Sequence, residues 1–152
     1  MFYENVHWKK INGHERYKYQ LIKDVMVYVG IFGYDIKTEW FHLRSDGVLV
    51  VFKGYAWDGS SGPTWDSLNT MLPSLAHDVG YQILREGLML SPAAFGNDID
   101  RYNVEFEKLR KRWDQVYYDK LIETKTWKIR AWWHYQGVRK FGRKSALPEF
   151  LK

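Results

Sequence analysis

Three side chains within five residues could do chemistry: His77, Asp78 and Tyr81, in the run Ala76-His77-Asp78-Val79-Gly80-Tyr81. An imidazole can act as a general base near neutral pH or ligate a metal, and a neighbouring carboxylate can hold a hard cation. On a helix, His77 and Tyr81 are four apart and share a face; Asp78, three before Tyr81, flanks the same patch. Upstream stands Trp57-Asp58-Gly59-Ser60-Ser61-Gly62-Pro63, with 18 residues separating Gly59 from His77. A loop whose carbonyls converge on a cation, or whose N–H groups converge on an anion, needs backbone angles that glycine allows. Ser60 and Ser61 read as turn residues, because no G-x-S-x-G elbow surrounds them. The competing reading of His77 is structural: a buried, hydrogen-bonded imidazole far from the 57–62 loop.

Positioning these groups takes a core, and 152 residues with 45% apolar content are enough for one domain. The chain has no cysteine, which excludes a disulfide framework, a thiolate zinc site and an iron–sulfur cluster. No stretch approaches the roughly 18 apolar residues of a spanning helix, and Met1–His7 lacks the basic and apolar regions of a signal peptide. Val25–Phe32, Thr38–Leu43 and Val48–Phe52 are rich in β-branched and aromatic residues, and Asp46-Gly47 marks a hairpin between the last two. The expectation is a small antiparallel sheet over about 17–54, then a loop over 55–72. A helical part follows over 73–142. Its first helix runs from Pro73 to Gly87, with Leu75, Val79 and Ile83 in one stripe. The second starts near Asn97 or Asp98 and carries Ile99, Tyr102, Phe106, Leu109, Trp113, Val116 and Leu121 at three-and-four spacing. The third spans about Trp127–Phe141, with Thr126 as N-cap and Gly142 as stop. Residues 143–152 read as a loose tail. The fold class is α+β, a small N-terminal antiparallel sheet followed by three packed helices in a single domain.

The net charge of +5 is uneven. Residues 1–107 hold 10 Lys/Arg and 14 Asp/Glu; residues 108–152 hold 13 and 4, a balance of +9. Such a basic third could meet phosphate, an anionic membrane surface or an acidic protein, or could simply be a solvated helix face. No nucleic-acid-binding signature accompanies it. The helix with Trp127, Trp132, Trp133, Tyr135 and Phe141 reads first as one that packs its aromatics inward, with a membrane-interface helix as the alternative. His7, His14, His42 and His134 show no metal-ligand spacing. Asp98 and Asp100 have a plain reading as helix N-terminal carboxylates that complement the macrodipole.

Trp57–Pro63, Leu75–Tyr81, Asp100-Arg101 and Val138–Gly142 together resemble a domain-of-unknown-function family common in tailed bacteriophages and prophages. That family has a W-D-G-A-S-x-P loop and an H-D-x-x-Y helix; Ser60 stands where it has Ala. The likeness covers roughly residues 45–145. It implies a viral or prophage origin, with the protein in the host cytoplasm during infection or incorporated in the virion. More loosely, His77–Tyr81 is similar to the catalytic helix of phospholipase A2 enzymes. That similarity implies His77 as the base that activates water and Asp78 as a calcium ligand. It also implies a cation lined by the carbonyls of Trp57, Gly59 and Ser61, with Asp58 an added carboxylate there. Tyr81 would be the hydroxyl supporting a carboxylate on the next helix, Asp98 or Asp100. The implied activity is metal-assisted hydrolysis of an ester or phospholipid, with calcium or another hard divalent cation as cofactor. The alternative is a non-enzymatic tail, head–tail or assembly component that uses the same scaffold to bind phage structural proteins.

Overall fold

The computed structural model describes residues 6–13, 16–59 and 67–152. Seven short strands precede the helices: β1 (Trp8–Lys10), β2 (Tyr19–Leu21), β3 (Val25–Tyr28), β4 (Ile36–Lys37), β5 (Phe41–Leu43), β6 (Val48–Val51) and β7 (Ala56–Trp57). They form two antiparallel sheets, in the orders β1-β2-β7 and β3-β6-β5-β4, rather than the single sheet expected over 17–54. The division has a local cause. Segments 19–28 and 48–57 run antiparallel throughout, but the ladder breaks midway, where the Lys53 N–H donates to the Asp24 carboxylate (2.7 Å). Beyond that break the pairing resumes from Gly54 N–H to Leu21 and ends with Tyr19 opposite Trp57, so β7 sits inside the segment expected to be loop.

In the four-stranded sheet burial alternates along β3 and β6, and Val27, Leu43 and Leu49 meet across neighbouring strands on the buried face. The hairpin turn needs its glycine twice over. Gly47 has φ of 81°, and an added Cβ would lie 3.2 Å from the Gly30 backbone.

The helices are α1 (Leu68–Arg85), α2 (Ile99–Glu123), α3 (Lys128–Phe141) and a single turn, α4 (Arg143–Ala146). α1 begins five residues before Pro73. The Thr70 hydroxyl accepts from the Ser67 N–H at 2.9 Å and starts the helix earlier. Pro73 then lies inside it and cannot donate to the Asn69 carbonyl one turn back; that carbonyl accepts instead from the Thr124 hydroxyl at the end of α2. α2 opens as expected, with the Asp98 carboxylate accepting from the Arg101 N–H at 3.0 Å. For α3 the N-cap is Trp127, one residue after Thr126, and Gly142 ends it.

The segment 143–152 is not a loose tail. It forms α4 and a 3-10 turn (Glu149–Leu151), and Ala146 and Leu147 are buried in the main core with residues of both sheets, α1 and α2. Among the described residues no helix is long and apolar enough to cross a membrane.

Candidate active site

The site is built where α1 crosses α2, and both helices present the same spacing to the crossing. α1 offers His77, Gly80 and Tyr81; α2 offers Arg110, Trp113, Asp114 and Tyr117. Gly80 sets the distance. A Cβ there would lie 2.2 Å from the buried Trp113 indole, so only a bare Cα lets that ring lie against α1. With Trp113 seated, Asp114 falls between His77 and Tyr81. Its Oδ1 accepts from His77 Nε2 at 2.8 Å and from the Tyr81 hydroxyl at 2.6 Å. Its Oδ2 accepts from Arg139 Nη1 at 2.7 Å and lies 3.5 Å from Arg110 Nη1.

Asp114 is fully buried and His77 is 3% exposed, so both polar groups depend on these bonds for the partners that water would otherwise supply. Burial pushes the Asp114 carboxyl up, but the hydrogen bonds from His77, Tyr81 and Arg139 outweigh it and hold the group below the usual carboxylate range. Burial, and then the adjacent Asp114 charge, raise the Tyr81 phenol far above its ordinary value, so Tyr81 remains a donor. Arg110 is 3% exposed and is in turn held by Glu107 (2.9 Å) and by the Val138 carbonyl (3.1 Å). An ionised Asp114 fixes the His77 proton on Nε2 and leaves Nδ1 as the nitrogen able to take a proton.

A cavity of about 350 Å³ opens on this group, between β7, α1 and α3. His77, Asp78, Tyr81, Tyr55, Asp58 and Arg85 are among the residues that line it. The sheet fixes its near wall, because the Trp57 indole donates to the Ser74 hydroxyl (3.2 Å), one turn before His77. Burial, reinforced by the charge of Asp78, pushes the Tyr55 phenol well up, which keeps it a donor, to the Gln82 side-chain oxygen at 3.0 Å. His77 therefore meets two marks of the structural reading, burial and hydrogen bonding. It fails the third, since it shares a cavity with Trp57 and Asp58.

The structure brings His77, Tyr81, Asp78, Asp58 and Trp57 to one cavity, and sets Asp98 and Asp100 apart from it. The carboxylate on His77 is Asp114, not Asp98 or Asp100. Asp98 caps α2 and Asp100 is exposed in its first turn; at 1.5 Å per residue both lie about 20 Å or more up the axis from Asp114. The Trp57 carbonyl accepts from the Lys18 N–H at 3.1 Å and is spent in the sheet. Gly59 has φ of 84°, a bend that glycine favours, while Ser61 lies outside the described residues, as do Ser60, Gly62 and Pro63. Among the described residues no three His, Asp or Glu side chains gather to hold a metal. Asp58 and Asp78 suit a hard cation in kind, but calcium takes six to eight oxygens and these two fall short of that set.

Sequence reasoning missed Asp114 and Arg110, yet a signal was present. Phe106, Arg110, Trp113, Asp114, Tyr117 and Leu121 keep the spacing of the buried stripe, so two charged residues occupy core positions of an amphipathic helix.

Behind the site, the His77 ring packs on Tyr117 with centroids 4.8 Å apart, and the Tyr117 hydroxyl lies 2.9 Å from Nδ1 of the buried His134. Among the described residues Nε2 of His134 has no partner. Burial and the Arg130 charge push the His134 imidazole down to about 4. The unfolded chain thus takes up this proton at higher pH than the folded protein does. The stability His134 confers as a neutral group is complete above its unfolded value near 6.5 and is lost as pH falls towards about 4. Urea unfolding at pH 8 and pH 5 should show about 2 kcal/mol lost through this group. His134→Gln should flatten that difference, and an equal loss in the variant would exclude His134 as its source.

Comparison with protein-family models, with curated proteins and with solved structures finds no match to this chain.

Proposed function

We propose that the protein is a hydrolase in which His77, oriented by Asp114, acts as general base on a water that attacks an ester or phospholipid ester in the adjoining cavity. The observation that supports this reading is the His77–Asp114 pair, locked by Tyr81 and Arg139 and placed on the wall of a cavity. A buried carboxylate that fixes one imidazole nitrogen leaves the other to accept a proton and pass it to the leaving group. Arg85, on the cavity wall, offers a cation to the developing oxyanion and to an anionic substrate. The likeness of the loop and helix motifs to the phage family adds an origin to this reading, not a mechanism.

The test is esterase and phospholipase assay of His77→Asn. The substitution should cost on the order of 10²–10⁴-fold in kcat with little change in KM. Full activity in that variant would end the proposal.

A hard divalent cation is a separate part of the proposal, carried by Asp58 and Asp78. Its expected sign is a thermal midpoint that rises with calcium in the intact protein and stays flat in Asp78→Asn. An intact protein indifferent to calcium would remove the cation from the reading.

A further inference from the structure

The third helix does not turn its tryptophans inward, although Tyr135 packs against Tyr118 of α2. Ala131, His134 and Val138 form its buried side, and none of its tryptophans is among them. The outward side repeats at three-and-four spacing: Ile129, Trp132, Trp133, Gln136 and Lys140. Ile129 is 82% exposed, Trp132 51% and Trp133 59%, and Trp127, just before the first turn, is 85% exposed. A water-facing surface of this kind costs solvation free energy unless something covers it.

The charge around the patch indicates what covers it. Between Glu123 and Glu149 the sequence has no acidic residue and seven basic ones: Lys125, Lys128, Arg130, Arg139, Lys140, Arg143 and Lys144. Arg139 and Arg143 are engaged with Asp114 and Glu107, whereas Lys128 and Lys140 are exposed and make no ion pair among the described residues. Tryptophan and isoleucine on one face, flanked by lysine and with no acid, is the composition of a helix that lies in the interface of an anionic bilayer. A second copy of this chain is a poorer occupant, because an isologous contact on this face would set lysine against lysine.

We infer that α3 is a peripheral membrane-binding element. Trp127, Ile129, Trp132 and Trp133 enter the headgroup–acyl boundary, and Lys128 and Lys140 meet anionic lipid phosphates. The inference is independent of the chemistry assigned to His77. It bears on the same cavity, however, because Gly137, Val138 and Phe141 of this helix form one of its walls.

The experiment is flotation of the full chain with vesicles of phosphatidylcholine alone and of phosphatidylcholine mixed with phosphatidylglycerol. Binding should favour the anionic vesicles about tenfold or more and weaken with added salt. Trp132→Ala with Trp133→Ala should lower it about tenfold, while circular dichroism and the thermal midpoint stay unchanged, because both side chains are exposed. Lys128→Gln should weaken binding to anionic vesicles roughly fivefold and leave neutral vesicles unaffected. No binding to either vesicle, or binding indifferent to the tryptophan pair, overturns the inference. So does a dimer that the tryptophan variant dissociates when the intact chain ignores lipid.

Discussion

Replacing Asp114 with alanine lowers the stability of the fold by about 3–5 kcal/mol, read as a drop in the urea midpoint at pH 7. The carboxylate is fully buried and accepts from three side chains, all of them on the two other helices α1 and α3. Removing it leaves Arg110, itself 3% exposed, with Glu107 as its remaining carboxylate and strips Arg139 of its 2.7 Å contact. The loss is large because the buried His77 and Tyr81 donors lose their acceptor and the buried Arg110 loses one of its two carboxylates; a pair broken at the surface would cost about 1 kcal/mol or less. Asp114→Asn separates structure from chemistry. It keeps the volume and one acceptor oxygen, so its stability loss is smaller, but it no longer fixes the His77 proton on Nε2. If His77 is the base, hydrolysis in this variant falls on the order of 10²–10⁴-fold. A thermal midpoint for Asp114→Ala equal to that of the intact protein would refute the buried cluster itself.

Gly80→Ala is expected to destabilise by about 2 kcal/mol or more. Alanine in a helix interior ordinarily stabilises relative to glycine by about 1 kcal/mol, so the sign depends on what the added Cβ meets. It meets three atoms of the Trp113 ring at 2.2, 2.3 and 2.7 Å, and that indole is fully buried with no flexible end to yield. The helices must separate, which also stretches the His77–Asp114 contact. Gly137→Ala is the control: it lies inside α3 with nothing within 4 Å of its added Cβ, so it should stabilise by about 0.5–1 kcal/mol. Thermal denaturation that moved both variants upward would show that α1 and α2 do not approach as closely as described.

The candidate site residues were legible where residue chemistry and local spacing coincide. His77 and Tyr81 four apart announce a shared helical face, and the Asp46-Gly47 turn announces its hairpin, because in each case the determining interactions span a few residues. Pro73 and the 143–152 segment were misread for a related reason. Proline is tolerated inside α1 because Thr124, 51 residues later, satisfies the carbonyl it leaves open. Ala146 and Leu147 are ordered by a core assembled from segments far away in the chain.

Composition and periodicity by themselves determined an α+β chain, a basic aromatic C-terminal third, and an imidazole poised on a helix with a carboxylate beside it. Which carboxylate serves that imidazole was decided only by packing. Asp98, Asp100 and Asp114 all lie on one helix, and their rank depends on where α1 crosses α2, a point set by the missing side chain at Gly80 and the indole of Trp113. The outward aromatic face of α3 was decided the same way. A helix with aromatics scattered around its circumference satisfies the hydrophobic pattern in more than one rotation, and contacts through Ala131, His134 and Val138 select the one that leaves tryptophan in water.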